Sequence, residues 1–188
     1  MLVHVAAAMV EAVDVVATDI VRQHTLITEV ISLAGYHYSL GNLQKLEEAA
    51  NMFKTCPGAI SKDGPLTNLL KYGAGEATAG NLGTARGAAY ELEKAYDLAR
   101  AGEEVIEFGR KIGGRQFDIE TPIKLIECKN IDWSKKVGDL AKRMQSTFAQ
   151  QQQIAQAAGK TFEVHSKATV PANWRKWFER KGIILIEG

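Results

Sequence analysis

Apolar residues recur at helical spacing through the first part of the chain and give way to short alternating or continuous runs after it. Helices are predicted over residues 2–22, 25–34 and 40–54, with Val13, Val16, Ile20 and Val21 along one side of the first. A stretch rich in Gly and Pro follows at about 56–83, broken by a short apolar segment at 66–72. It reads as a linker. The pattern therefore predicts a small all-α N-terminal domain over 1–80 and a mixed domain over 84–188.

In the mixed half, residues 85–101 form a helix closed by Gly102, with Ala88, Leu92, Ala95 and Ala99 facing the core. Glu91 lies at the rim of that stripe, and Glu93 and Asp97 lie opposite it. A strand is predicted at 104–108, with Gly109, Gly113 and Gly114 in the turn after it. Segments 116–119 and 123–128 flank a Thr-Pro turn and read as a hairpin. Ser134 is placed to cap a helix over 134–158, with Val137, Leu140, Ala141, Met144, Phe148 and Ala155 on one side. The glutamines at 150–153 read as a solvated face. A strand at 161–164 follows, then a helix at 171–180 whose Trp174, Trp177 and Phe178 belong to the core. The apolar strand at 183–186 reads as buried on both faces.

Composition narrows the reading little until the chain is divided. The net charge is +1, but residues 1–83 carry 5 Lys/Arg against 8 Asp/Glu, and residues 84–188 carry 18 against 14. The basic excess lies in the mixed half, as in a polyanion-binding domain. Two distant cysteines, Cys56 and Cys128, make neither a disulfide framework nor a zinc spacing. The apolar run at 2–21 is interrupted by Glu11, Asp14 and Asp19 and has no basic segment ahead of it. It reads as neither a signal peptide nor a transmembrane span.

The chemistry gathers in the predicted hairpin. Strand alternation sends Glu127 and Lys129 to one face and Cys128 to the other. An acid and a lysine on an otherwise apolar strand are costly to bury without partners. A divalent cation relieves that cost, and Asp118 on the neighbouring strand offers a second hard oxygen donor.

Asp118, Glu127 and Lys129 resemble the acid, spacer, acid-any-lysine pattern of the restriction-endonuclease-like, or PD-(D/E)XK, nucleases. Phe117 stands where the literal motif has proline. The run Ile126-Glu127-Cys128-Lys129-Asn130-Ile131-Asp132-Trp133 is similar to nuclease domains at the C-terminal tips of contact-dependent growth inhibition toxins. The resemblance covers residues 84–188. It implies an αβββαβ core with a mixed central sheet between helices, which the predicted element order matches. It also implies metal-dependent phosphodiester hydrolysis. Asp118, Glu127 and the Cys128 carbonyl would hold Mg²⁺, with Mn²⁺ or Zn²⁺ as alternatives. Glu91, four residues after Gly87, would help directly or through water. Lys129 would orient the attacking water, stabilise the phosphoryl oxygens or act as base. Some members of the family also use a glutamine from the long helix near the metal. Residue types and strand alternation add His165 and Lys167 near the site, and Lys135, Lys136, Lys142 and Arg143 as phosphate contacts along the long helix.

As to biology, the resemblance implies an antibacterial toxin delivered from the producer's surface as part of a larger protein and active in the target cell's cytoplasm. Residues 1–80 would engage membrane transport components, and a cognate immunity protein would cover the basic site. Transfer RNA is placed ahead of DNA as substrate. A non-catalytic helical adaptor and a membrane-active toxin stand as alternatives.

Overall fold

The structure is a computed structural model that describes residues 40–71 and 82–188. The helices predicted at 2–22 and 25–34, and the run at 2–21, lie outside the described residues. Among the described residues the fold is α+β: five α-helices and one five-stranded, mixed, open sheet. Helices α1 (Leu40–Phe53), α2 (Pro65–Lys71) and α3 (Leu82–Arg100) precede strands β1 (Glu107–Ile112), β2 (Arg115–Glu120) and β3 (Lys124–Lys129). Helix α4 (Gly138–Ala157), strand β4 (Thr161–Ser166), helix α5 (Ala172–Lys181) and strand β5 (Ile184–Glu187) complete the chain.

The strands lie in sequence order. The β1–β2 and β2–β3 pairs are antiparallel, whereas β3–β4 and β4–β5 are parallel and joined through α4 and α5. That follows from connection length: tight turns join antiparallel neighbours, and parallel ones need a crossover. The predicted hairpin is thus β2–β3, closed by a turn in which Thr121 Oγ1 accepts the Lys124 amide at 3.0 Å.

Alternation along the strands divides the core into two layers. Phe108, Ile119, Ile126 and Cys128 pack against α1, α2 and α3 through residues such as Phe53, Leu69 and Leu92. Leu125, Phe162 and Val164 pack against α4 and α5 through Phe148, Ala155, Trp174 and Phe178. Phe148 lies at the centre of an aromatic cluster, 5.6 Å from Phe178 and 6.5 Å from Trp174 between ring centroids. Trp174, Trp177 and Phe178 are core residues, as the helical spacing predicts.

Four boundaries differ from the sequence reading. Strand β1 begins three residues later than predicted and runs through Gly109, because pairing with β2 carries it on to Ile112. Ser134 does not cap the long helix. Asp132 caps a separate 3-10 turn, Trp133–Lys135, by accepting the Ser134 amide at 3.0 Å, and α4 opens only at Gly138, at φ +56°, after Lys136 and Val137. Lys135 and Lys136 accordingly lie ahead of the long helix, not along it. Strand β5 is not buried on both faces: it forms the sheet edge, leaving Ile184 and Ile186 44% and 41% exposed.

The fourth difference concerns the Gly- and Pro-rich stretch. Over residues 56–71 it is built into the α3 layer, with Ala59, Leu66 and Leu69 buried. The Phe108 amide donates to the Pro57 carbonyl at 3.0 Å. Gly58 sits at φ +80°, and a Cβ there would stand 1.8 Å from the Phe108 carbonyl oxygen. Backbone packed this closely admits no side chain. Gly58→Ala is expected to cost roughly 2–5 kcal/mol of stability through strain and overpacking. Denaturant titration of the full chain checks this, and a loss below 1 kcal/mol would show that residues 56–71 do not pack as described.

Candidate active site

The site begins with a fault in the ladder. Phe117 and Ile119, two positions apart, would share one face of a regular strand. Yet Phe117 packs on Phe162 in the α4 layer, and Ile119 packs in the α3 layer. The changeover falls at Asp118, which the register sets opposite Gly109 of β1. Gly109 has φ +66°, a conformation most side chains rarely adopt, and it absorbs the local twist.

Beside this fault β2 and β3 part. Their pairing is confined to Ile119–Ile126 and Glu120–Leu125. One step further on, the Asp118 carboxylate takes the place of a strand carbonyl and accepts the Cys128 amide at 2.7 Å. Glu127 and Lys129, on the face away from Cys128, form an ion pair. The Lys129 ammonium also donates to the Cys128 carbonyl at 3.3 Å. Cys128 itself is a small buried member of the α3 layer, as its strand position predicts.

Helix α4 closes the other side of Glu127. Gln151 is buried, and its Nε2 donates to Glu127 Oε2 at 2.6 Å and to the Gln116 carbonyl at 2.9 Å. Its Oε1 is buried with no protein partner. A solvated face is therefore the wrong reading for this glutamine. The signal was in the spacing: Phe148, Gln151 and Ala155 fall on one helical stripe, and all three are buried. Gln150 and Gln152 point elsewhere, to Arg115 and to the Gly182 carbonyl.

The electrostatics follow from three acids around one lysine. Burial, and then the Glu127 carboxylate, push Asp118 up to about 7, against the pull of Lys129 and the Cys128 amide. Burial and then Asp118 hold Glu91, which reaches in from α3, well above the usual carboxylate range. Burial alone would lower Lys129. The facing Glu127 and Asp118 carboxylates outweigh it and hold the ammonium above its ordinary value. Burial, with Asp118 and Glu91 next, pushes the Cys128 thiol up. Three acids thus crowd one lysine, and Asp118 and Glu91 resist ionising together.

The donor set suits a hard divalent cation: two carboxylates, a backbone carbonyl, a third acid within electrostatic reach and an unused amide oxygen. As they stand, the described residues hold no cluster of three His, Cys, Asp or Glu side chains arranged to take a metal. Glu127 is engaged by Lys129 and Gln151, so metal entry requires Lys129 to yield one carboxylate oxygen.

The other predicted residues are dispersed. His165 lies on the Cys128 side of the sheet and bonds Glu163 at 2.8 Å through Nε2, an ion-pair geometry within β4. The Lys167 amide donates to the Lys129 carbonyl at 3.0 Å, but its ammonium turns to Glu93, also 3.0 Å away. That pairing buries Glu93, which helical spacing had put on the outer side. Lys135 and Lys142 sit over Asp132 and Asp139, at 3.5 and 3.4 Å, and Arg143 is exposed on the first half of α4.

Because the folded state raises the Asp118 pKa from 3.8 to about 7, its ionised form is disfavoured on folding. This cost is absent below pH 4, grows as pH rises toward 7 and is complete above it. Asn at this position still accepts the Cys128 amide. In chelator at pH 8, Asp118→Asn is expected to be more stable than wild type by on the order of a few kcal/mol, with the gap closing at pH 4. Equal stability at both pH values, by thermal unfolding, would refute the crowding. No protein-family model, no curated protein and no solved structure matches the chain, and the site stands on its own geometry.

Proposed function

We propose that residues 40–188 form a metal-dependent nuclease of the restriction-endonuclease-like fold. The observation that carries this reading is the placement of Asp118 and Glu127 on adjacent strands at the point where those strands part, with Lys129 two residues beyond. The order α3-β1-β2-β3-α4-β4 supports it, with α5 and β5 added after. Helices α1 and α2 share a core with α3, so the proposed catalytic unit reaches back to residue 40.

Asp118, Glu127 and the Cys128 carbonyl would hold Mg²⁺, with Glu91 completing the set directly or through water. A bound cation of this kind acidifies water and offsets charge on the phosphoryl transition state. The chain's own groups supply the rest. Gln151 fixes the orientation of Glu127. Lys129, held protonated by its acidic neighbours, suits the stabilisation of phosphoryl oxygens or the orientation of water better than proton abstraction. The surrounding sheet keeps all of them in register.

The same reading makes the chain an antibacterial toxin region neutralised by a cognate immunity protein, with transfer RNA placed ahead of DNA. The N-terminal part would serve entry into the target cell. Among the described residues no helix is long and apolar enough to cross a membrane. One observation favours a second reading. The direct Lys129–Glu127 pair is also what a structural ion pair in a non-catalytic binding protein looks like.

The two readings separate in one experiment. Full-length wild type, Asp118→Ala and Lys129→Ala are incubated with transfer RNA and with plasmid DNA, in Mg²⁺ and in chelator. Metal-dependent cleavage by wild type, reduced about 100-fold or more in both variants with native circular dichroism, is expected. Cleavage retained by either variant would overturn the assignment, and inactive, folded wild type would favour the binding protein.

A further inference from the structure

Most cations near the site face a carboxylate: Arg110 pairs with Glu107, Lys160 with Glu120, Lys124 with Glu103 and Lys167 with Glu93. Arg115 differs. Its Nε and Nη2 both donate to the amide oxygen of Gln150, the Nε at 2.8 Å. A neutral partner fixes the guanidinium without cancelling its charge. No acid pairs with Arg115 among the described residues, and the side chain keeps access to solvent. Its anchor, Gln150, is the chain neighbour of Gln151, which bonds Glu127.

The same side of α4 carries a second such cation. Arg143 lies seven residues before Gln150, on the same helical face, and is exposed with no ion-pair partner among the described residues. Ser146, also exposed, lies between them. Ahead of Phe148 only Ala141 and Met144 lean on the core, and Arg143 and Ser146 stand open to solvent. Arg143 and Gln150 are about 10 Å apart along the helix axis. That span is about three base-pair steps of rise along a duplex axis.

We infer that Arg115 and Arg143, aligned along α4 through Gln150, form a rail for the phosphate backbone of a polynucleotide and lead it to the Asp118–Glu127–Lys129 cluster. This rests on the nuclease reading and adds to it a binding track of defined direction. The recognised chemistry is the phosphodiester backbone. The rail reads charge and spacing rather than bases, because guanidinium–phosphate contacts carry no sequence information. Arg115 is the anchored member nearest the chemistry, and Arg143 is the outer one.

The test uses the full chain and two probes, a 20-base-pair DNA duplex and an RNA hairpin, bound in Ca²⁺ over a series of salt concentrations and followed by fluorescence anisotropy. The variants are Arg115→Gln with Arg143→Gln, and a charge-matched control, Lys176→Gln with Arg180→Gln, at exposed positions on α5. Loss of two phosphate contacts should lower the slope of log K against log salt by about 1.4–1.8 and weaken binding roughly ten-fold. The control should leave both unchanged. The probe that shows the larger difference identifies the backbone the rail fits. Wild type that binds and cuts nucleic acid, with a rail variant of unchanged slope or a control that loses as much, overturns the rail alone. Wild type that neither binds nor cuts either probe overturns the nuclease reading and the rail together.

Discussion

The hydrogen bond from the Cys128 amide to the Asp118 carboxylate organises this molecule. In a continuous ladder that amide would meet a carbonyl of β2, and both strands would present ordinary side chains to the two layers. Here the ladder stops after Glu120–Leu125 and Ile119–Ile126, and a side-chain oxygen satisfies the amide instead. The exchange gives the Cys128 amide an acceptor in place of the missing carbonyl. It also fixes a carboxylate at the split between β2 and β3.

Everything around the split compensates for it. Gly109 takes the backbone twist on the neighbouring strand. Phe117 crosses to the α4 layer and packs on Phe162, so the strand remains anchored on both sides of the fault. Lys129 offsets part of the charge that Glu91, Asp118 and Glu127 concentrate, and Gln151 restrains Glu127. The balance is incomplete: burial and Glu127 hold Asp118 toward its protonated form, and burial and Asp118 do the same to Glu91. Carboxyl groups crowded and buried in this way are characteristic of sites that bind cations or perform acid–base work.

The helical layers determine where the split opens. Helices α1, α2 and α3 cover one face with small and aromatic side chains, and Glu91 of α3 faces the acids. Helix α4 covers the other face, with Phe148, Gln151 and Ala155 buried and Ala141 and Met144 partly buried against the same core. Arg115 and Gln150 join the start of β2 to α4.

The sequence by itself determined the element types from residue 82 onward, the hairpin, the buried aromatic helix and the grouping of Asp118, Glu127 and Lys129. Each follows from local periodicity or from alternation along one strand, which are properties of neighbouring residues. Only the tertiary structure decided the rest. Gln151 became a site residue because α4 lies against Glu127, and Glu93 became buried because Lys167 reaches it from just beyond β4. His165 fell to the Cys128 side, and β5 became an exposed edge. Residues 56–71 left the role of linker for a place in the core because Gly58 meets the backbone of Phe108. Such facts depend on which residues distant in the chain come together, and a one-dimensional pattern of apolar and polar positions does not encode that pairing.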